Sequence, residues 1–196
     1  YEALIEGATI VIENDLVKEI TKAPVDQTGY DKVIDAGGRT VIPGLTDNHF
    51  HCFETAPLSV LDQMRLDEFF IRMAKFAEEA LMRGFTTVRD AGGTTAGLKT
   101  CIDNGFAKGP RIYPSNGMIS QTCGHGDARI FRSQKVGMTP LMQTETFVIA
   151  DGVPEVLKAA REQLFLGASQ VKLMIGGGLA SYYDPLWTVQ YTLEEM

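Results

Sequence analysis

The sequence predicts an α/β protein in which βα units build a parallel sheet behind a short N-terminal piece of β-structure. Three observations carry this. From Leu45 onward, short runs of β-branched and apolar residues alternate with longer amphipathic runs. Two of those longer runs, Leu66 to Arg83 and Val153 to Leu166, repeat apolar residues at helical spacing and stop at Gly84 and Gly167. Before Pro43-Gly44 the chain reads instead as strands and turns.

The elements follow in order. Leu4 to Glu13 is rich in β-branched and apolar residues, and Asn14-Asp15 is a turn signal. Leu16 to Ile20 is then the returning strand of a hairpin. Val33-Ile34 and Thr40 to Ile42, around Gly37-Gly38, continue the same β character. A sheet this small buries little by itself and needs a neighbour. Leu45 to His51 is the first strand of the α/β region. In the helix that follows, Leu66, Phe69, Phe70, Met73, Ala77, Ala80 and Leu81 share a face. Phe85 to Val88 is a short buried strand, Ala96 to Asn104 a helix, and Arg111 to Ser115 a third strand. Val153 to Leu166 is the next helix, and Gln170 to Ile175 a fourth strand. Thr192 is the N-cap of a helix that begins at Leu193. The stretch from Asn116 to Gly152 is too long for an ordinary connection. It follows a strand and precedes a helix, which puts it at the C-terminal edge of a parallel sheet, where active sites form.

Composition excludes several classes. The 196 residues are 44% hydrophobic and 22% charged, which suits a globular protein and rules out disorder or a collagen-like repeat. No apolar run reaches the roughly 18 residues of a membrane span. The net charge of -7 argues against nucleic-acid binding, which needs a clustered basic surface. Cys52, Cys101 and Cys123 make an odd set without CxxC spacing. They speak against a disulfide framework and a cysteine zinc site, and for a reducing, cytoplasmic compartment. The chain begins at Tyr1, so the lack of a targeting segment carries no weight.

His49 and His51 form an HxH pair. On a strand such residues face the same way, with Cα atoms roughly 6.5 to 7 Å apart, so both imidazoles can share one metal ion. Two chance histidines in a turn are the other reading. Lys172 lies inside the apolar run Val171 to Ile175. It either snorkels to solvent by its stem or faces a barrel interior with a depressed pKa. In the second case its neutral amine can take up carbon dioxide as a carbamate that bridges two metals. His125 sits between Gly124 and Gly126 and either contacts substrate or is a plain loop histidine. Asp90, at a strand end, is either catalytic or bonded to backbone or to Arg89. Cys52 alternates away from the histidine face, which discounts it as a ligand. Gly176-Gly177-Gly178 lacks the spacing of either phosphate-binding loop.

Together the motifs resemble the amidohydrolase superfamily. Val41 to His51 is similar to its strand-one signature, apolar-Pro-Gly-apolar-x-Asp-x-His-x-His, and Gly84 to Gly93 to its second strand. Ser120 to Asp127, Ala150 to Val156 and Gln170 to Met174 resemble the subgroup of Xaa-Pro dipeptidases, with imidazolonepropionase and ochratoxin-cleaving amidases as relatives. The resemblance implies the first half of a (β/α)8 TIM barrel, about four βα units in residues 43–196. Residues 1–42 would be part of a small β-sandwich. It further implies that His49, His51 and a carboxylated Lys172 bind metal, that two Zn2+ or other divalent ions serve the full-length enzyme, and that His125 binds substrate. A metal-bridging hydroxide would then cleave a small amide, dipeptide or N-acyl amino acid. A cyclic amide of the imidazolonepropionase type is the alternative, and a non-catalytic fragment or interaction module the rival from another class. The remaining metal histidines and the proton-shuttle aspartate are expected beyond Met196, so the chain alone is expected to be inactive. A homo-oligomer is expected of the whole enzyme, with no nucleic-acid or membrane partner. Cys123, Thr46 and the run Met174 to Gly178 depart from the family pattern and bear on substrate preference.

Overall fold

The computed structural model describes residues 4–129, 140–179, 181 and 184–196. The chain divides into two compact units, Tyr1–Pro43 and Gly44–Met196.

In the first unit, β1 (Thr9–Glu13) and β2 (Leu16–Thr21) form an antiparallel hairpin. The two-residue connection is Asn14-Asp15, and Asn14 takes a left-handed φ of 55°, a conformation its short side chain tolerates. Ile10 faces Ile20, and a bulge between Val11 and Ile12 shifts the register to Ile12 opposite Val17. Val11 is the one buried residue among those described in this unit. The expected strands at Val33-Ile34 and Thr40 to Ile42 do not form. Their side chains are strand-like, but no hydrogen-bonding edge is offered to them, and Ile34 and Ile42 stay exposed.

The second unit begins with β3 (Leu45–Phe50), then a short helix α1 (Leu58–Leu61) and the long helix α2 (Leu66–Met82). β4 (Phe85–Asp90), α3 (Ala96–Asp103) and β5 (Arg111–Pro114) follow. β3, β4 and β5 are parallel neighbours in that order, as two consecutive βα units require. α2 forms because Phe69, Met73, Ala77 and Ala80 recur every three or four residues and bury one stripe. Asp67 and Glu68 in its first turn suit the positive end of the helix dipole. Burial alternates along the strands: Val88, Asp90, Ile112 and Pro114 are buried, while Arg89, Arg111 and Tyr113 are exposed. The buried face carries the main core, in which Val88 and Ile112 meet Cys52, Phe53, Leu61, Phe69, Met73 and Met118.

The long connection from Asn116 to Gly152 is not one loop. It holds β6 (Met118–Ser120), the short helix α4 (Pro140–Gln143) and β7 (Phe147–Ile149), with β6 and β7 parallel. Residues 130–139 of that stretch lie outside the described residues. α5 (Gly152–Phe165) follows, packing Val156 and Ala159 with Ile119, Ala150 and Tyr191 in a second cluster. The expected strand Gln170 to Ile175 contracts to a single parallel bridge, Leu173 to Ile119. Ile119 donates its N–H to the Lys172 carbonyl and accepts from the Met174 N–H, both at 2.9 Å. A three-residue β6 has no more ladder to offer. Thr192 and Glu195 exchange the reciprocal bonds of a capping box, 2.7 and 3.3 Å, around a turn rather than a helix.

Gly93 sits at φ +107°, where an added Cβ would run into the ring of the fully buried Phe53. Gly105, at φ +76°, has open space around it. Gly105→Ala should therefore lose about 1 kcal/mol for backbone conformation alone. Gly93→Ala should lose at least twice that, because the core must also shift. Urea denaturation of both variants measures the difference, and equal midpoints would contradict this account of Gly93.

Candidate active site

Parallel pairing puts the carboxyl ends of β3, β4 and β5 on one edge. His49 is the penultimate residue of β3 and His51 follows the strand end, while Phe50 between them turns to the packed face and joins the main core. The two imidazoles stand 5.1 Å apart between ring centroids at an interplanar angle of 68°. Nδ1 of His51 lies 3.3 Å from the Gly92 carbonyl just past β4. A carbonyl can only accept, so Nδ1 carries a proton, and in the neutral ring Nε2 is the nitrogen with the lone pair. The Asp47 carboxylate accepts the His49 N–H at 2.9 Å and steadies the strand end.

Lys172 belongs to this neighbourhood. It is half-buried beside β6, and burial together with the Arg89 charge lowers its pKa. Burial and then the Lys172, His51 and Arg89 charges lower that of His49, with Asp47 opposing them. Arg89 itself donates from Nε to the Asn48 carbonyl at 2.6 Å. Neutral imidazole and neutral amine are the forms that lend an electron pair. The donors present thus fit part of a metal site: two histidines and one lysine. Among the described residues, no group of three or more His, Cys, Asp or Glu is placed to hold a metal ion.

His125 is held separately. Its Nδ1 lies 3.0 Å from Oδ2 of Asp184 and 2.7 Å from Oγ of Ser181, and its N–H donates to Gln190 Oε1 at 2.9 Å. None of these partners is shared with His49, His51 or Lys172. Burial pushes the Asp184 carboxyl up, but donors from Ser181, His125 and the Gly178 N–H outweigh it and leave it below the usual range. Gly178 lies so close to the His125 ring that a Cβ has no room, which accounts for one glycine of the 176–178 run. The loop is pinned at its start as well. Asp151, at the N-cap position of α5, leaves its own helix uncapped and accepts instead from the Thr122 N–H and hydroxyl at 3.0 and 2.6 Å. Asp184, Ser181 and Gln190 carry no sequence signal, since no motif or period links them to His125.

Asp90 bonds neither Arg89 nor solvent. It is fully buried, its Oδ1 accepts a long 3.4 Å bond from the Gly92 N–H, and its Oδ2 has no partner at normal distance. Burial pushes this carboxyl up to about 7, against the weaker pull of the Thr95, Cys52 and Gly92 donors. Cys52 is buried beside it, and burial with the Asp90 charge pushes its thiol far up.

The second unit is thus an α/β arrangement with two histidines at the carboxyl end of one of its parallel strands. The chain matches the model of the amidohydrolase family over residues 40–196 and belongs to that family. Its fold is accordingly of TIM-barrel type. A prolidase solved in complex with N-methylphosphonate-L-proline superposes with a TM-score of 0.85 at 37% identity, over 96% of this chain and 46% of that one. A Xaa-Pro dipeptidase with methionine bound in its active site gives 0.77 at 28% identity, over 96% and 47%. The ochratoxinase of Aspergillus niger is 35% identical over 133 residues, 64% of this chain and 28% of that protein. The chain thus spans under half the length of each of these.

The raised Asp90 pKa has a defined sign. Below the unfolded value of 3.8 the carboxyl is neutral in both states, and Asp90 takes nothing from stability. As pH rises toward about 7 the unfolded chain ionises while the folded one keeps its proton, so stability falls. The loss is on the order of 4 kcal/mol. Asp90→Asn should flatten the dependence of unfolding free energy between pH 4 and 7, measured by urea denaturation. An identical slope in wild type and variant would contradict the assignment.

Proposed function

We propose that this chain carries part of the active site of a metal-dependent amide hydrolase acting on dipeptides or N-acyl amino acids with a free carboxylate. One observation carries the reading: the His49–His51 pair shares an electrostatic neighbourhood with the half-buried Lys172. The likeness to a prolidase, a Xaa-Pro dipeptidase and an ochratoxinase supports an amide substrate next to a carboxylate.

On this proposal His49, His51 and Lys172, the last carboxylated on Nζ, would hold zinc or similar divalent ions. Bound metal would supply Lewis acidity, lowering the pKa of a water and polarising the amide carbonyl. The chain's own residues do the rest. The Gly92 carbonyl keeps the His51 proton on Nδ1, and Asp47 fixes the strand end from which both rings project. The Arg89 charge favours the neutral Lys172 amine that carbon dioxide requires. His125 meets the substrate near the scissile bond. Residues 1–42 serve as part of a β-sandwich and 43–196 as the first part of the barrel, in an enzyme that assembles as a homo-oligomer.

The complete enzyme containing this segment should hold close to two metal ions per chain by elemental analysis. Lys172→Ala should abolish hydrolysis of Xaa-Pro dipeptides and N-acyl amino acids, and short carboxylic acids should partly restore it. Full activity of Lys172→Ala would rule out the carbamate. The 196-residue chain by itself should show no turnover, because two histidines and a lysine leave a two-metal site incomplete. Metal-dependent hydrolysis by this chain would refute that.

A further inference from the structure

We propose that Asp184 is the positioning residue of His125, its carboxylate holding the ring proton on Nδ1 so that Nε2 alone is offered to a ligand. The inference builds on the reading of His125 as the group that meets substrate.

Asp184 is only 4% exposed, and no Lys or Arg is paired with it among the described residues. Its Oδ2 faces Nδ1 of His125 at 3.0 Å, the Gly178 N–H at 2.9 Å and Nε2 of Gln190 at 3.5 Å, and the Ser181 hydroxyl is a further donor to this carboxylate. Its Oδ1 is buried with no hydrogen-bond partner. A buried carboxylate with one empty oxygen is costly, and a site that keeps one has a use for its charge. Ser181 Oγ lies on the same ring nitrogen, at 2.7 Å. In a nucleophilic relay the hydroxyl and the carboxylate engage opposite nitrogens, so this is no activated serine. Nδ1 has a single hydrogen, and the carboxylate is the stronger acceptor for it.

The ring is fixed from other sides too. Gln190 grips the His125 N–H through Oε1 while its amide nitrogen faces Asp184, so one side chain holds both partners. Gly178 lies close against the ring, and its own N–H donates to the carboxylate. Gln190 is itself tied back, its N–H donating to the Ile175 carbonyl at 3.0 Å just beyond Lys172. The segment that carries Lys172 therefore also carries the clamp on His125. His125 is 27% exposed through its side chain, so the ring stays reachable while the clamp is buried.

Selective 15N labelling of histidine in the complete protein tests this. The His125 signal is the one lost in His125→Gln, and it is read above the midpoint of the ring's own titration. The wild type should show a protonated Nδ1 and a bare Nε2. Asp184→Asn, nearly isosteric, can turn an amide donor toward Nδ1 and should move the proton to Nε2. Ser181→Ala should leave it on Nδ1. A proton that stays on Nδ1 in Asp184→Asn, or leaves it in Ser181→Ala, overturns the proposal. In an enzyme that hydrolyses amides, Asp184→Asn should lower kcat on the order of 10²-fold with KM little changed. A displaced proton with an unchanged kcat would also overturn it. Absence of hydrolysis by the wild type would instead defeat the functional reading, and the tautomer result would stand apart from it.

Discussion

Parallel pairing of β3, β4 and β5 is the constraint on which the second unit depends. Strands that run the same way must be joined by crossovers, and α2 and α3 are those crossovers. The same direction of travel collects the carboxyl ends of the strands on one edge. His49, His51, Asp90 and Gly92 come from strand ends 41 residues apart in sequence, yet the His51 ring reaches the Gly92 carbonyl. The helix-facing side of the sheet is dry enough to raise the Asp90 carboxyl to about 7, while the other side leaves Arg89 and His49 accessible. One alternation along each strand thus separates a structural carboxyl from a candidate ligand pair.

Charge on the accessible side follows from this arrangement. Burial and the Lys172, His51 and Arg89 charges disfavour the protonated form of His49, burial and the Arg89 charge do the same at Lys172, and Asp47 is the carboxylate that counters at His49. A cluster that would be a liability in a purely structural surface is what a site needs if it is to present neutral nitrogen donors to a cation.

Much of this was legible from residues alone, and the gaps have physical causes. The β1–β2 hairpin is written in Asn14-Asp15 between apolar runs, and α2 in the spacing of Phe69, Met73, Ala77 and Ala80, because both patterns are local. Residues 33–34 and 40–42 have strand-forming side chains but no ladder to join, and propensity does not say whether an edge is on offer. β6 and β7 are three residues each, too short to show a period, and they subdivide a stretch that otherwise reads as one loop. Gln170 to Ile175 is apolar enough for a strand, yet its length is set by β6, which supplies one bridge. In the candidate site, His49 and His51 announce themselves by an i, i+2 spacing and Lys172 by its apolar surroundings. Asp184 lies 59 residues from His125, and only tertiary structure brings them together.

The histidines of the site are therefore held by two different physical means. His49 and His51 ride on the sheet, and their placement is as firm as the ladder and the core beneath Phe50. His125 rides on irregular backbone, where no ladder fixes a side chain's direction, and side-chain bonds must do so instead. Asp184 and Gln190 supply them, and Asp151 anchors Thr122 at the start of the same loop. Sheet-borne ligands suit a group that must bind an ion at fixed geometry. A loop-borne ring with its own anchors is placed independently of the histidine pair on the sheet.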